Sequence, residues 1–123
     1  METKHVILFA VALGASACQP SVSSEVSTTA AQINPVSTAK AADAVGAAHC
    51  RHVYQCNEFG GAHRFRDYDS CARAVRSETL ESLSCTEIPA AKLSSCLEAI
   101  RASECGAPRS ARFSSCSDER LCR

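Results

Sequence analysis

Nine cysteines dominate the reactive chemistry open to this 123-residue chain, and their odd number divides their roles. A thiolate can be a nucleophile, a redox centre or a metal ligand, whereas an oxidised pair only staples. No Cys-x-x-Cys occurs. Its absence removes the usual dithiol motif of thioredoxin-like oxidoreductases and the attachment motif of covalent c-type haem. Eight of the cysteines, Cys50, Cys56, Cys71, Cys85, Cys96, Cys105, Cys116 and Cys122, are separated by 5, 14, 13, 10, 8, 10 and 5 residues. Zinc fingers want two close ligand pairs, which this spacing does not supply. An even set at such density reads as four disulfides formed in an oxidising compartment. Eight cysteines allow 105 pairings. Short connections between antiparallel helices favour Cys56–Cys71 first, then Cys85–Cys96 and Cys105–Cys116.

Cys18 stands apart, directly after Ala15-Ser16-Ala17. Residues 1–17 read as a secretory signal: Lys4 gives a positive start, and Val6 to Ala15 is an uncharged apolar run. That run is too short to cross roughly 30 Å of hydrocarbon as a helix. Small residues at Ala15 and Ala17 suit ordinary signal peptidase. Small Ser16 and Ala17 before a cysteine also resemble a bacterial lipobox, in which the cysteine is lipidated and becomes the new N-terminus. Cysteine parity favours lipidation. A thioether diacylglycerol, with chains such as palmitate, supplies stable anchoring because each buried methylene contributes about 0.8 kcal/mol. Gln19 follows, not the aspartate of an inner-membrane retention signal, so the expected location is the outer membrane of a bacterial cell envelope.

Two further clusters bear on chemistry. His49, His52 and Cys56 fall at i, i+3 and i+7 on one helical face, and His63 follows shortly after. Neutral imidazoles at that spacing can share a metal or haem. An oxidised Cys56 cannot serve as a ligand, however, so the expectation is an amphipathic face with no metal or cofactor, and His49, His52 and His63 are weak candidates only. Arg64-Phe65-Arg66-Asp67-Tyr68-Asp69 could grip an anionic group. The preferred reading is a solvated loop in which Asp69 caps a helix while Phe65 and Tyr68 reach the core. No Gly-x-Ser-x-Gly, His-Glu-x-x-His or phosphate-cradling loop occurs. The expectation is no catalytic residue and no enzyme activity.

The elements that must position these residues begin after residue 37. Residues 18–37 hold the lipidated cysteine and a stretch whose one charge is Glu25, too poor in apolar residues to offset its ordering entropy. They read as a tether. The domain expected over 38–123 is all-α. Thr38 can cap a helix to about Asn57, with Val45, His49, His52, Val53 and Cys56 on its inner face. Gly60-Gly61 breaks the chain. Asp69 can cap a second helix to about Ser84, with Ala72, Val75, Thr79, Leu80 and Leu83 inward. Pro89 opens a third, carrying Leu93, Cys96, Leu97 and Ile100, which Gly106 and Pro108 stop. Ser114 or Ser115 opens a short last helix through Leu121. No segment alternates as a strand does. The result is a disulfide-stapled bundle of three main helices and one short one, whose thin core needs its staples.

A neutral net charge and a pI near 6.9 argue against nucleic acid as a partner and against a polybasic membrane patch. The length excludes a TIM barrel or a full dinucleotide-binding domain. The domain from Ala47 to Cys122 resembles an uncharacterised family of small cysteine-rich bacterial lipoproteins associated with natural-product biosynthesis gene clusters. The resemblance is carried by Cys50-x5-Cys56, Gly60-Gly61, Tyr68 before Cys71, Cys96-Leu97-Glu98-Ala99-Ile100-Arg101, Glu104-Cys105-Gly106 and Leu121-Cys122. It implies an accessory role near biosynthesis and no reaction. Together these readings predict a lipid-anchored envelope binding module. Its partners are the membrane, through the anchor, and an envelope protein or small ligand. The alternative is a metal- or haem-binding protein using His49 and His52.

Overall fold

The computed structural model describes residues 34–123. The expected signal at 1–17 and Cys18 lie outside the described residues, as does most of the expected tether. Chain order is β1 (Val36–Ser37), α1 (Thr38–Gln55), α2 (Tyr68–Ser82), β2 (Glu87–Ile88), α3 (Ala90–Ala102), α4 (Arg109–Arg112), a 3-10 turn (Ser114–Cys116) and α5 (Asp118–Cys122). The fold is all-α apart from a two-residue antiparallel pairing of Val36 with Ile88 and Ser37 with Glu87. That pairing departs from the expectation of no strand. It draws the last two residues of the expected tether into the stapled domain.

Helix α1 starts one residue earlier than its sequence signal. Ser37, not Thr38, is the cap, and its hydroxyl accepts from the Lys40 backbone N–H. The Thr38 hydroxyl instead donates to the Cys85 carbonyl, fastening α1 to the segment before β2. Helix α1 packs chiefly on α2, and secondarily on α3. Small residues set that closeness. Ala41, Ala42, Gly46 and Ala48 are buried, and a Cβ added at Gly46 would sit 3.4 Å from the Ala72 carbonyl oxygen. Val45, His49, His52 and Val53 are buried as their spacing predicts, with Cys56 half-buried.

At α2 the cap is Asp67 rather than Asp69. The Asp67 carboxylate accepts from the Ser70 N–H at 2.8 Å, while the Asp67 N–H donates to the Ser70 hydroxyl at 3.2 Å. This reciprocal box satisfies two helix-end donors at once and holds Asp67 down to about 2, chiefly through the Ser70 N–H. Val75, Thr79 and Leu83 point inward. Tyr68 is exposed, against the expectation that it reaches the core, because the cap at Asp67 leaves it on the outer side of the first turn. Pro89 is the residue before α3, and its carbonyl accepts from Lys92 and Leu93. Leu93, Cys96 and Ile100 are buried there.

Four disulfides join Cys50–Cys71, Cys56–Cys105, Cys85–Cys122 and Cys96–Cys116. None of the three favoured pairings forms. Cys50 lies mid-α1, directly against the first turn of α2, and takes Cys71. Cys56 is carried past the α1–α2 crossing to the segment after α3, where it meets Cys105. The two remaining bonds fold the C-terminal segment back over α3 and β2. Pairing follows which faces oppose, not which cysteines are neighbours in sequence.

Candidate ligand-binding pocket

The three sequence-predicted histidines part company. His52, 5 % exposed, places Nε2 3.2 Å from the Ser103 hydroxyl and 3.5 Å from Cys56 Sγ. His52, Cys56 and Cys105 offer atoms within 4.8 Å of one another. Both sulfurs of that group are bonded to each other, so neither is a thiolate and the imidazole is the only ordinary metal ligand there. His63 is exposed in the loop after Gly60-Gly61.

His49 does something else. Its ring lies between Phe65, at 6.3 Å and near-perpendicular, and Phe113, at 4.7 Å. Its Nδ1 is buried without a hydrogen-bond partner. Burial first, then electrostatic repulsion, led by the Arg112 guanidinium, pushes its pKa down to about 4 against a weak opposing pull from Glu58. His49 is therefore a neutral imidazole at ordinary pH.

Around it opens a cavity of about 310 Å³. Helix α1 supplies His49 and Val53. The loop after α1 supplies Glu58, His63, Arg64 and Phe65, the segment before α4 supplies Gly106 and Ala107, and α4 supplies Arg109 and Arg112. The α1–α2 loop reaches this position by a tight local fold. Gly60 and Gly61 adopt φ of 73° and 55°, a region open to glycine without penalty. The Gly60 N–H then donates to the Phe65 carbonyl, closing the loop and turning Phe65 inward. Cys56–Cys105 pins both walls, since Cys105 directly precedes Gly106.

Charge is arranged in two tiers. Arg112 is 5 % exposed and donates to the Glu58 carboxylate and the Ala107 carbonyl, both at 3.3 Å, while its Nε has no partner. Burial opposes ionisation of Glu58, but the Gly106 N–H and Arg112 outweigh it and lower its pKa. Farther out, Arg64 stacks on Phe65 and Arg109 on Phe113, and both guanidinium groups reach the two oxygens of Glu78. Arg66, by contrast, is highly exposed and pairs only with its neighbour Asp67. The arginine-rich run thus splits, with Arg64 at the cavity and Arg66 in solvent.

A family model described as a family of unknown function (DUF6184) matches residues 50–123. The chain belongs to that family. The DUF6184 segment contains all four disulfides and every pocket residue named above except His49, which precedes it by one position. No curated protein and no solved structure matches the chain. No described helix is long and apolar enough to cross a membrane.

Sequence reasoning weighed an anion grip at Arg64 and Arg66 and set it aside. It did not place Glu58, Arg109 or Arg112 at any site. Arg109 and Arg112 lie far from His49 in sequence, and the Cys56–Cys105 link together with the Glu58 bonds to Gly106 and Arg112 brings the two stretches together. The available signal was the surplus of arginine over lysine beyond Cys18, ten to two.

Proposed function

We propose that this DUF6184 member is a non-catalytic binding module held at the bacterial cell envelope by a lipid on Cys18, with the His49–Arg112 cavity as its binding site. The observation that carries the binding reading is that two residues lining one cavity, His49 and Arg112, each hold a buried nitrogen without a partner, Nδ1 and Nε. Buried polar groups in folded proteins are nearly always satisfied, and two exceptions on residues that line one opening fit a site that rearranges around a ligand.

Anchoring is supported by chemistry and counting. Four disulfides suit an oxidising compartment. The eight cysteines of the described domain pair among themselves, which leaves Cys18 as the thiol suited to acylation behind Ala15-Ser16-Ala17. The domain's first element enters at the start of α1, and the cavity sits near that helix's other end. At 1.5 Å per residue, Thr38 and Val53 are separated by roughly 22 Å along the axis. A tethered domain would therefore carry its opening away from the lipid. The resemblance to lipoproteins encoded near natural-product clusters favours an accessory role beside a biosynthetic enzyme or exporter.

Intact-mass measurement of the native protein tests the anchor. A diacylglycerol mass on Cys18, with the rest of the chain about 8 Da lighter than its fully reduced form, is the expected result. Cys18→Ser should release the protein from the membrane fraction. An unlipidated N-terminus in the native protein overturns the anchoring.

A further inference from the structure

Resting on the binding reading above, we infer that the cavity takes a small monocarboxylate with an apolar body. The charge balance argues for one negative charge. Arg64, Arg109 and Arg112 face Glu58 and Glu78, leaving a surplus of one positive charge among these groups. A monoanion neutralises that surplus, whereas a phosphate dianion overshoots it and is harder to desolvate. His49, kept neutral by its surroundings, adds hydrogen-bonding capacity and no charge.

Shape argues for the carboxylate and its body. Guanidinium groups match the planar carboxylate fork. Arg112 lines the cavity and is already held in place by Glu58 and Ala107. Its position is fixed before any ligand arrives, which lowers the ordering cost of binding. Val53, Phe65 and Ala107 give the opening an apolar wall. A volume of about 310 Å³ lies at the lower end of small-molecule sites, suited to one ring or a short chain. Glu78 plays an internal counterpart. Its carboxylate draws Arg64 and Arg109 together at the rim, and so competes with an incoming anion for the same guanidinium groups.

The test is an NMR titration of the disulfide-intact protein at constant ionic strength with benzoate, benzyl alcohol and inorganic phosphate. Benzoate should give saturable shifts at His49, Phe65, Ala107 and Arg112, and bind at least about tenfold more tightly than benzyl alcohol, the scale of one charge-assisted hydrogen bond. Arg112→Met should abolish the preference. Because that variant disturbs a buried ion pair, Glu78→Gln is the second probe. It frees two rim arginines and should tighten benzoate binding about threefold or more, where mere destabilisation would weaken it. Equal affinity for benzoate and benzyl alcohol overturns the carboxylate assignment and leaves the cavity as a binding site. Phosphate binding more tightly than benzoate also overturns it. No saturable shift with any of the three overturns the binding reading together with the carboxylate assignment, while Cys18→Ser fractionation decides the anchoring separately.

Discussion

His49 makes stability depend on pH in a way that a single substitution should erase. In the unfolded chain its imidazole titrates near 6.5, whereas in the fold it refuses a proton until about pH 4. Between those values the unfolded chain binds more protons, so stability rises with pH across the window and is lost as pH falls through it. The separation corresponds to about 3 kcal/mol once both states are protonated. Between pH 7 and pH 5 the loss is about 2 kcal/mol by the same linkage. Asp67, held at about 2, and Glu58 and Asp118, also held low, act in the same direction but mostly at lower pH. Comparison with His49→Leu cancels them. That variant keeps an apolar side chain between Phe65 and Phe113 and forfeits no hydrogen bond at Nδ1, which has none. Urea unfolding followed by far-ultraviolet circular dichroism at pH 7, 6 and 5 gives both curves. The wild-type loss should exceed that of His49→Leu by about 2 kcal/mol between pH 7 and pH 5. Parallel pH dependence in the two proteins would refute the buried neutral imidazole.

Other perturbations separate buried from exposed electrostatics and one staple from another. Glu58→Ala strands Arg112 in the interior and should lower stability by about 3 kcal/mol in denaturant unfolding. Asp43→Ala removes a pair exposed on both sides and should change stability by less than about 0.5 kcal/mol in the same assay. Under limiting reductant, Cys56–Cys105, with Cys105 exposed, should be alkylated before the buried Cys50–Cys71 and Cys96–Cys116, as read by peptide mass mapping. Replacing both Cys56 and Cys105 by Ala removes a crosslink spanning 49 residues and should cost about 4 kcal/mol of chain-entropy stabilisation. Gly46→Leu should separate α1 from α2 and lower the thermal midpoint, since the nearest backbone is 3.4 Å from a Cβ there.

The helices were legible because their apolar spacing is local information. Leu93, Cys96 and Ile100, or Val45, His49 and Val53, declare a face without reference to anything else. Cap positions were less legible. Ser37 and Thr38 are adjacent capping types, as Asp67 and Asp69 nearly are, and the choice depends on a tertiary contact in one case and on Ser70 at the third helical position in the other. Disulfide partners were illegible because hairpin logic assumes that the last turn of one helix faces the first turn of the next. The loop between α1 and α2 is long enough to break that assumption at Cys56. The same loop hid the cavity. Its walls come from residues 49–65 and 106–112, and nothing within either stretch announces the other.

The staples and the cavity are energetically connected. A domain this small draws only a few kcal/mol from one core. Two buried unpartnered nitrogens each cost about 1–3 kcal/mol, enough together to unfold such a domain if nothing offset them. The disulfides act mainly on the unfolded chain, so their contribution does not depend on how well the cavity is filled. Their placement matters as much as their number. Cys50 adjoins His49, Cys56 and Cys105 link the two walls, and Gly106 follows directly. Crosslinks at those points restrain the two walls that carry the unsatisfied groups. On this account, opening Cys56–Cys105 in native protein should end the proposed benzoate binding while far-ultraviolet helicity persists, because α1–α2 and α3 keep their own buried staples. Simultaneous loss of helicity and binding would mean that the crosslink supports the fold as a whole and not the cavity in particular.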